Sequence, residues 1–366
     1  MKYFCIYMLV FISFLSCKEK KEAINNVSHI DIDLTKKDFY IDKPAFEYFS
    51  FIKLETNKEC LLKDISKVLC YDNNIYILSL DEPTVFIFDK TGKFLSKIKM
   101  GQGPEEVLFV SDISINDEKL YVLDMFKTIK EYDLEGNFIQ KKYTFDLNFF
   151  SFEFTSSGLL LFDNNMNKKS DYNIYFYSDS GERKTFLEKK EWMRNVVINT
   201  LNVTKDHYLT WPSSDTIYSI DMSRCELTPA YFIDFKGKGI NAQKIEKPLS
   251  AYNISEDEDF AWWVQNFLLY DNSFFFSFKY HETYYVKSIN DLTMIYSQLL
   301  KDIPSLKTPS VGYKDGELIF ACQTYSLIDS RNSLGGTSPH DIYSEDMDET
   351  DNPILIFIPI RTQLKY

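Results

Sequence analysis

The chain has 366 residues, with 41 Lys and Arg against 54 Asp and Glu, a formal net charge of −13 and a hydrophobic content of 45%. That acidic balance excludes a nucleic-acid-binding face, which needs clustered positive charge. Aromatic residues make up 16%, with 31 Phe and 25 Tyr against only 12 Gly, a composition that favours strands over helices.

The chain opens Met1-Lys2, runs apolar from Tyr3 to Leu15, and continues Ser16-Cys17-Lys18-Glu19-Lys20. A short basic start, an apolar core of roughly 7–15 residues and a small residue before the cut make a secretory signal. The run is shorter than the roughly 20 apolar residues a membrane-spanning helix needs. A cysteine directly after Phe14-Leu15-Ser16 resembles the lipobox of bacterial lipoproteins. That resemblance implies a signal peptide over 1–16, a lipid on Cys17, and an outer-membrane lipoprotein at the periplasmic face or the cell surface. Residues 17–44 read as a charged linker and leader. Of the six cysteines, Cys60, Cys70, Cys225 and Cys322 remain once Cys5 and Cys17 are set aside, too few and too scattered for a disulfide scaffold. They read as small buried thiols, with a Cys60–Cys70 bridge across a hairpin as the alternative.

From residue 75 onward a unit repeats. Ile75-Tyr-Ile-Leu78 is followed by Val85-Phe-Ile-Phe-Asp89, a turn ending in Gly92, and Phe94-Leu95; Leu120-Tyr-Val-Leu-Asp124 is followed by Ile129 to Asp133, Gly136 and Phe138-Ile139, which superimposes at a period of 44. Each unit is a strand, a turn, a strand ending in Asp, a tight Asp-x-x-Gly turn and a third strand. Fainter copies follow at Leu159–Gly181, Tyr208–Asp221, Ser273–Lys287 and Glu317–Ile358. Six such units predict an all-β fold: a six-bladed β-propeller with four-stranded antiparallel blades over residues 45–366. A series of β-sandwiches is the rival, and the regular spacing argues against it. The strand at Phe49–Leu54 has no partner of its own, and is expected to pair with Ile354–Ile360 and close the ring, or to cap it.

Leu54-Glu55-Thr56, Gly101-Gln-Gly-Pro104-Glu-Glu106 and Asp215-Thr-Ile-Tyr218 leading to Pro229–Phe235 resemble six-bladed β-propeller lipoproteins, distant relatives of the NHL-repeat and TolB-like propellers. The resemblance implies the blade count and brings no reaction with it.

The candidate sites are few. Gly101–Pro104 lacks the Gly-Lys-Ser/Thr of a phosphate-binding loop and reads as a turn between blades. His29, His207, His281 and His340 are the only histidines and do not make a three-His metal site, so no metal or other cofactor is expected. Asp124, Asp163 and Asp221 follow strands, where carboxylates satisfy turn backbones. The acidic runs Glu256–Asp259 and Glu345–Asp351 lack the ligand spacing of a Ca²⁺ loop. A polar insert over Ser330–Tyr343 is the best candidate for contact with a partner, through His340 and Tyr343. Trp262 and Trp263 join it: neighbours on a strand face opposite ways, so both cannot be buried in one interface. The reading is a membrane-anchored, monomeric propeller that binds or scaffolds a glycan, a peptide or an envelope protein. The alternative is a propeller hydrolase or lyase acting on polysaccharide through axial carboxylates.

Overall fold

The computed structural model of the chain describes residues 27–36, 41, 48–193, 207–243, 259–270, 273–289, 292–297, 299–300, 303, 306, 310–333 and 347–360. Cys17, the signal peptide, His340 and Tyr343 lie outside these residues.

Two strands come first, β1 (Ser28–Asp31) and β2 (Ser50–Lys53). Meanders follow: β3 (Ile65–Tyr71), β4 (Asn74–Ser79), β5 (Val85–Asp89) and β6 (Phe94–Lys97), then β7 (Val110–Asn116), β8 (Lys119–Asp124), β9 (Thr128–Tyr132) and β10 (Phe138–Thr144). The third is β11 (Ser151–Thr155), β12 (Gly158–Phe162), β13 (Tyr172–Ser178) and β14 (Arg183–Glu188); the fourth is β15 (Tyr208–Leu209), β16 (Thr216–Asp221) and β17 (Glu226–Asp234). Last come β18 (Trp262–Tyr270), β19 (Ser273–Tyr280), β20 (Glu282–Ile289) and β21 (Leu292–Tyr296), then β22 (Gly312–Lys314), β23 (Glu317–Cys322), helix α1 (Thr324–Ser333) and β24 (Ile354–Pro359). No helix among the described residues is long and apolar enough to cross a membrane.

The fold is all-β and propeller-like. Among the described residues four sheets are four-stranded, and the fifth is a continuous eight-stranded sheet of order β2-β24-β23-β22-β3-β4-β5-β6. The expectation of six blades is therefore corrected: four blades stand separately, and the other eight strands form one sheet. The cause is a parallel contact between β22 and β3, where Gly312 pairs with Val68 and the Val68 amide donates to the Val311 carbonyl at 2.7 Å. A Cβ on Gly312 would sit 2.4 Å from the Val68 carbonyl oxygen, so the glycine is what lets the two inner strands meet. The expected closing pair is present: β2 lies antiparallel to β24, with Ser50 opposite Phe357 and Lys53 opposite Ile354.

The apolar runs are continuous because both faces of each sheet are covered. Tyr76 and Leu78 pack toward the β7–β10 sheet, while Ile75 and Ile77 point the other way into a cluster with Leu355 and Phe357. Leu159 and Leu161 face the preceding sheet, whereas Leu160 and Phe162 face the β15–β17 sheet. Side-chain alternation along a strand thus feeds two cores at once. The succession continues from β16 and β17 to β18–β20 through Ile217, Phe235, Val264 and Phe276, and from there to β23 and β24 through Leu268, Phe275, Phe320 and Ile356, returning to the sheet where it began. Each fully buried Leu or Phe contributes about 1.5–3 kcal/mol.

One segment of the expected leader is part of the fold. β1 pairs in parallel with β17, His29 opposite Phe232, and Ile30, Ile32 and Leu34 are buried against the β17–β18 core. The linker expected over 17–44 therefore ends before Ser28. The polar insert is also entered differently, because α1 follows β23 directly, buries Leu327, and is fixed at its start by a 2.7 Å bond from Thr324 Oγ1 to the Asn352 carbonyl. Residues 334–346 of the insert lie outside the described residues.

Candidate functional site

In a meander of antiparallel strands, successive connections lie at opposite ends of the sheet. One face of the molecule therefore carries the turns between first and second and between third and fourth strands, and these are tight. Asp89 Oδ1 accepts the amides of Thr91 and Lys93 at 2.8 and 3.0 Å, and Asp133 Oδ1 those of Glu135 and Asn137 at 3.1 and 2.7 Å. Gly92, Gly136 and Gly181 close these turns at φ of 87°, 90° and 89°, the left-handed region glycine enters without strain. Asp221 serves the same way, accepting the amides of Ser223 and Arg224.

The opposite face carries the remaining connections; apart from the three-residue β8–β9 turn and His281 between β19 and β20, the described ones are longer, and side chains clasp them. Asp124 Oδ1 accepts the amides of Leu108 and Phe109, and its Oδ2 lies 3.0 Å from Lys130 Nζ. Lys130 also donates to the Glu106 carbonyl, which fixes the Gly101–Glu106 segment as a turn. Asp163 and Lys189 form a 2.7 Å ion pair with both side chains buried, and Asn167 links Asp163 to the Asn148 backbone. Asn352 holds the ring closure: it accepts from the Leu62 amide and donates to the carbonyls of Glu55 and Cys60, each at 2.7 Å. The carboxylates of Asp124 and Asp163 are thus engaged in structure, as the turn-satisfying reading expects.

Trp262 and Trp263 sit at the start of β18 on this face. They do not point to opposite sides. Trp263 has φ of 55° and the β18–β19 register slips between Trp262 and Gln265, so a bulge brings both rings into one cluster, 5.1 Å apart, with Ile240, Phe260 and Trp192. The expectation that both could not share one interface fails for that reason. Lys279 Nζ lies 4.8 Å from the Trp263 ring centre and 5.8 Å from that of Trp262, with burial lowering its pKa. Beside them Asp215, at 2% exposure, accepts the amides of Ile240 and Asn241, and burial pushes its pKa up to about 6. Asp259, the described end of the first acidic run, takes Lys238 Nζ at 2.7 Å and the Tyr280 hydroxyl at 2.6 Å.

Along the axis, the first strands of several sheets line a cavity of about 320 Å³. Its walls include Lys67 and Cys70 of β3, Ser114 of β7, Glu153 of β11, Asn266 of β18, and Ser310 and Tyr313 at β22. Lys67 Nζ lies 2.8 Å from Asp112 Oδ1, which also accepts the Ile113 amide, while Asp112 Oδ2 accepts the Phe152 amide at 2.9 Å. One carboxylate thus joins three first strands. Glu153 differs: no hydrogen bond ties its carboxyl to another described residue, and desolvation, with a smaller contribution from Asp112 opposed by Lys67, pushes its pKa up to about 7. The Glu153 side chain is half-buried and lines the cavity. Asn266 reaches the wall from a second bulge, at φ of 57°, between Gln265 and Leu268.

Sequence reasoning missed these axial groups, although a signal was present. Lys67, Asp112 and Glu153 lie 45 and 41 residues apart, close to the repeat period, each a charge within a first strand. Cys60, Cys70, Cys225 and Cys322 are not joined in disulfides. Among the described residues no three His, Cys, Asp or Glu side chains gather as metal ligands.

No curated protein matches the chain. An exported protein of Bacteroides fragilis NCTC 9343 (BF0058) has a similar structure, with a TM-score of 0.72 at 18% identity over 92% of this chain and 100% of that one. A DUF4221 member from Bacteroides vulgatus ATCC 8482 gives 0.46 at 10% identity over 86% and 96%. PorZ, a surface component of the type-IX secretion system of Porphyromonas gingivalis, gives 0.38 at 10% over 70% and 29%. The first of these likenesses concerns the fold alone. The family match is not to the NHL-repeat or TolB-like propellers: residues 28–359 match the domain of unknown function DUF4934, and the chain belongs to that family.

Proposed function

We propose that the protein is an extracytoplasmic binding or scaffold module that presents its loop face to a glycan, a peptide or an envelope protein. The observation that carries this is the inequality of the two faces. One face is closed by tight turns, whereas the other displays longer loops made rigid by Asp124, Asp163 and Asn352. Loops held on a stiff scaffold are the usual place for recognition. The Trp262–Trp263 pair under Lys279 offers aromatic and cationic contact on that face.

The hydrolase or lyase reading gains no support from the axis. Acid–base cleavage of a glycosidic bond calls on two working carboxyl groups, and Asp112 has its oxygens engaged by Lys67 and two backbone amides. The location belongs to the proposal: export and a lipid on Cys17, in line with the exported character of the Bacteroides fragilis relative.

The test uses glycan and peptide arrays with the purified protein, followed by its Trp263→Ala, Tyr325→Ala and Lys93→Glu variants. Tyr325 is 51% exposed on α1 and Lys93 lies in a tight turn of the other face. Binding should fall with the first two and persist with Lys93→Glu; the reverse pattern would overturn the assignment of the face. Membrane fractionation of Cys17→Ser tests the anchor, and retention in the membrane would refute it.

A further inference from the structure

We propose that the axial cavity is a binding site for a small ligand carrying a protonated amine, received by the Glu153 carboxylate with Asn266 and the serine hydroxyls as secondary contacts. This goes beyond the loop-face reading and does not depend on it.

The polar groups of the cavity are unequal in their commitments. Lys67 is spent on Asp112, so neither is available to a ligand. Glu153, Asn266, Ser114 and Ser310 all line the cavity, and no side-chain hydrogen bond joins any of them to another described residue. Four polar groups without a hydrogen-bond partner among the described residues converge on one concave space, the arrangement of a site whose partner comes from outside. The bulge that holds Asn266 at φ of 57° strengthens this, because irregular backbone that re-aims a side chain is concentrated at binding sites.

Charge selects the ligand class. An anion would meet the Glu153 carboxylate and a single cation, Lys67, already neutralised by Asp112. A neutral polyol gains nothing from the charge of Glu153. A cation supplies what the site lacks, and the raised pKa of Glu153 measures how poorly the carboxylate is compensated alone. The other titratable groups facing the cavity are Cys70, Tyr71 and Tyr313; burial raises the pKa of Cys70 to about 11, which keeps it uncharged at neutral pH. At about 320 Å³ the cavity falls at the small end of ligand pockets, which suits a molecule the size of an amino acid or a short amine.

Isothermal titration calorimetry with three isosteric probes, 1,4-diaminobutane, 4-amino-1-butanol and 1,4-butanediol, tests the proposal. Both amines should bind and the diol should not. Amine affinity should rise about tenfold from pH 6 to pH 8, as the ionised fraction of Glu153 goes from about a tenth to about nine-tenths. Near pH 7 binding should release about half a proton, read as a dependence of the measured heat on the ionisation enthalpy of the buffer. Glu153→Gln should abolish amine binding, and Asn266→Gly, which suits the local backbone, should weaken it several-fold. Lys279→Met, on the loop face, should leave it unchanged, so this proposal and the loop-face reading can fail separately. Equal binding of the diol, amine binding that survives Glu153→Gln, or no binding of either amine to the native protein at pH 8 would each overturn it.

Discussion

Asn352 is 1% exposed and its side chain makes three hydrogen bonds at 2.7 Å, accepting from the Leu62 amide and donating to the carbonyls of Glu55 and Cys60. Its own amide donates to Thr56 Oγ1 at 2.9 Å. All of these partners lie between β2 and β3, so a residue beside the last strand locks the segment that follows the first closing strand. Truncation to Ala leaves the Leu62 N–H and the Cys60 carbonyl without partners, while the Glu55 carbonyl keeps the Cys60 thiol at 3.1 Å. At roughly 1–3 kcal/mol for each stranded group, the loss should be about 2–5 kcal/mol. Asn352→Asp separates hydrogen bonding from space filling: it keeps the volume but turns two donors into lone pairs aimed at carbonyl oxygens, so it should be at least as harmful as Ala. Urea unfolding followed by fluorescence gives the midpoint shift, and hydrogen exchange at Ser50–Lys53 reports whether the closing pair loosens. An Asp variant close to wild type, or an Ala variant within 1 kcal/mol of it, would refute the clasp.

Other outcomes follow from the same geometry. Glu153 has a folded pKa of about 7, raised above its unfolded value by desolvation. Its contribution to stability is fully present below the unfolded pKa near 4.5 and is lost as pH rises toward 7, a change of about 3 kcal/mol; Glu153→Gln should therefore raise stability by about that amount at pH 8 and little at pH 4, in thermal melts across that range. A Cβ at position 239 would lie 2.3 Å from Asp215 Oδ2, so Gly239→Ala should displace that carboxylate and cost about 1–3 kcal/mol of unfolding free energy. Lys189→Met leaves the Asp163 carboxylate buried without its ion pair and should cost about 3–5 kcal/mol, whereas the double variant Lys189→Met, Asp163→Asn should recover much of it in the same melts.

The sequence made the repeat legible where local chemistry is strong. Asp89 to Gly92 and Asp133 to Gly136 announce a tight turn in four residues, and the apolar runs around them can only be strands. The pairing of the N-terminal strand with the C-terminal one followed from ring closure. Other features depend on contacts far apart in the chain and leave little local trace. β1 is four residues long, His29-Ile30-Asp31 among them, and its partner is some 200 residues away, so it reads as part of a charged leader. The fusion of two sheets rests on Gly312 meeting Val68. α1 has no apolar stripe, since Thr-Tyr-Ser-Leu-Ile-Asp-Ser-Arg-Asn-Ser offers only Leu327 to the core, and it went unread for that reason. At Trp263 and Asn266 strict alternation was the wrong rule because bulges shift the register. Lys67, Asp112 and Glu153 repeat within the first strands, away from the strand-end turns whose Asp and Gly residues carry the stronger local signal.

The parallel seam between β1 and β17 bears on how the molecule stands at a membrane. With the proposed lipid on Cys17, ten residues lie between the anchor and Ser28, a reach of roughly 35–40 Å at full stretch. The tether does not leave from a ring closure that could swivel. It is stitched to the outer edge of the β15–β17 sheet, where Lys236 bonds Asp31 at 2.8 Å. A leash fastened to the rim would bring the β1–β17 edge nearest the lipid and keep it within about 40 Å of the surface, while leaving both loop faces free of the attachment.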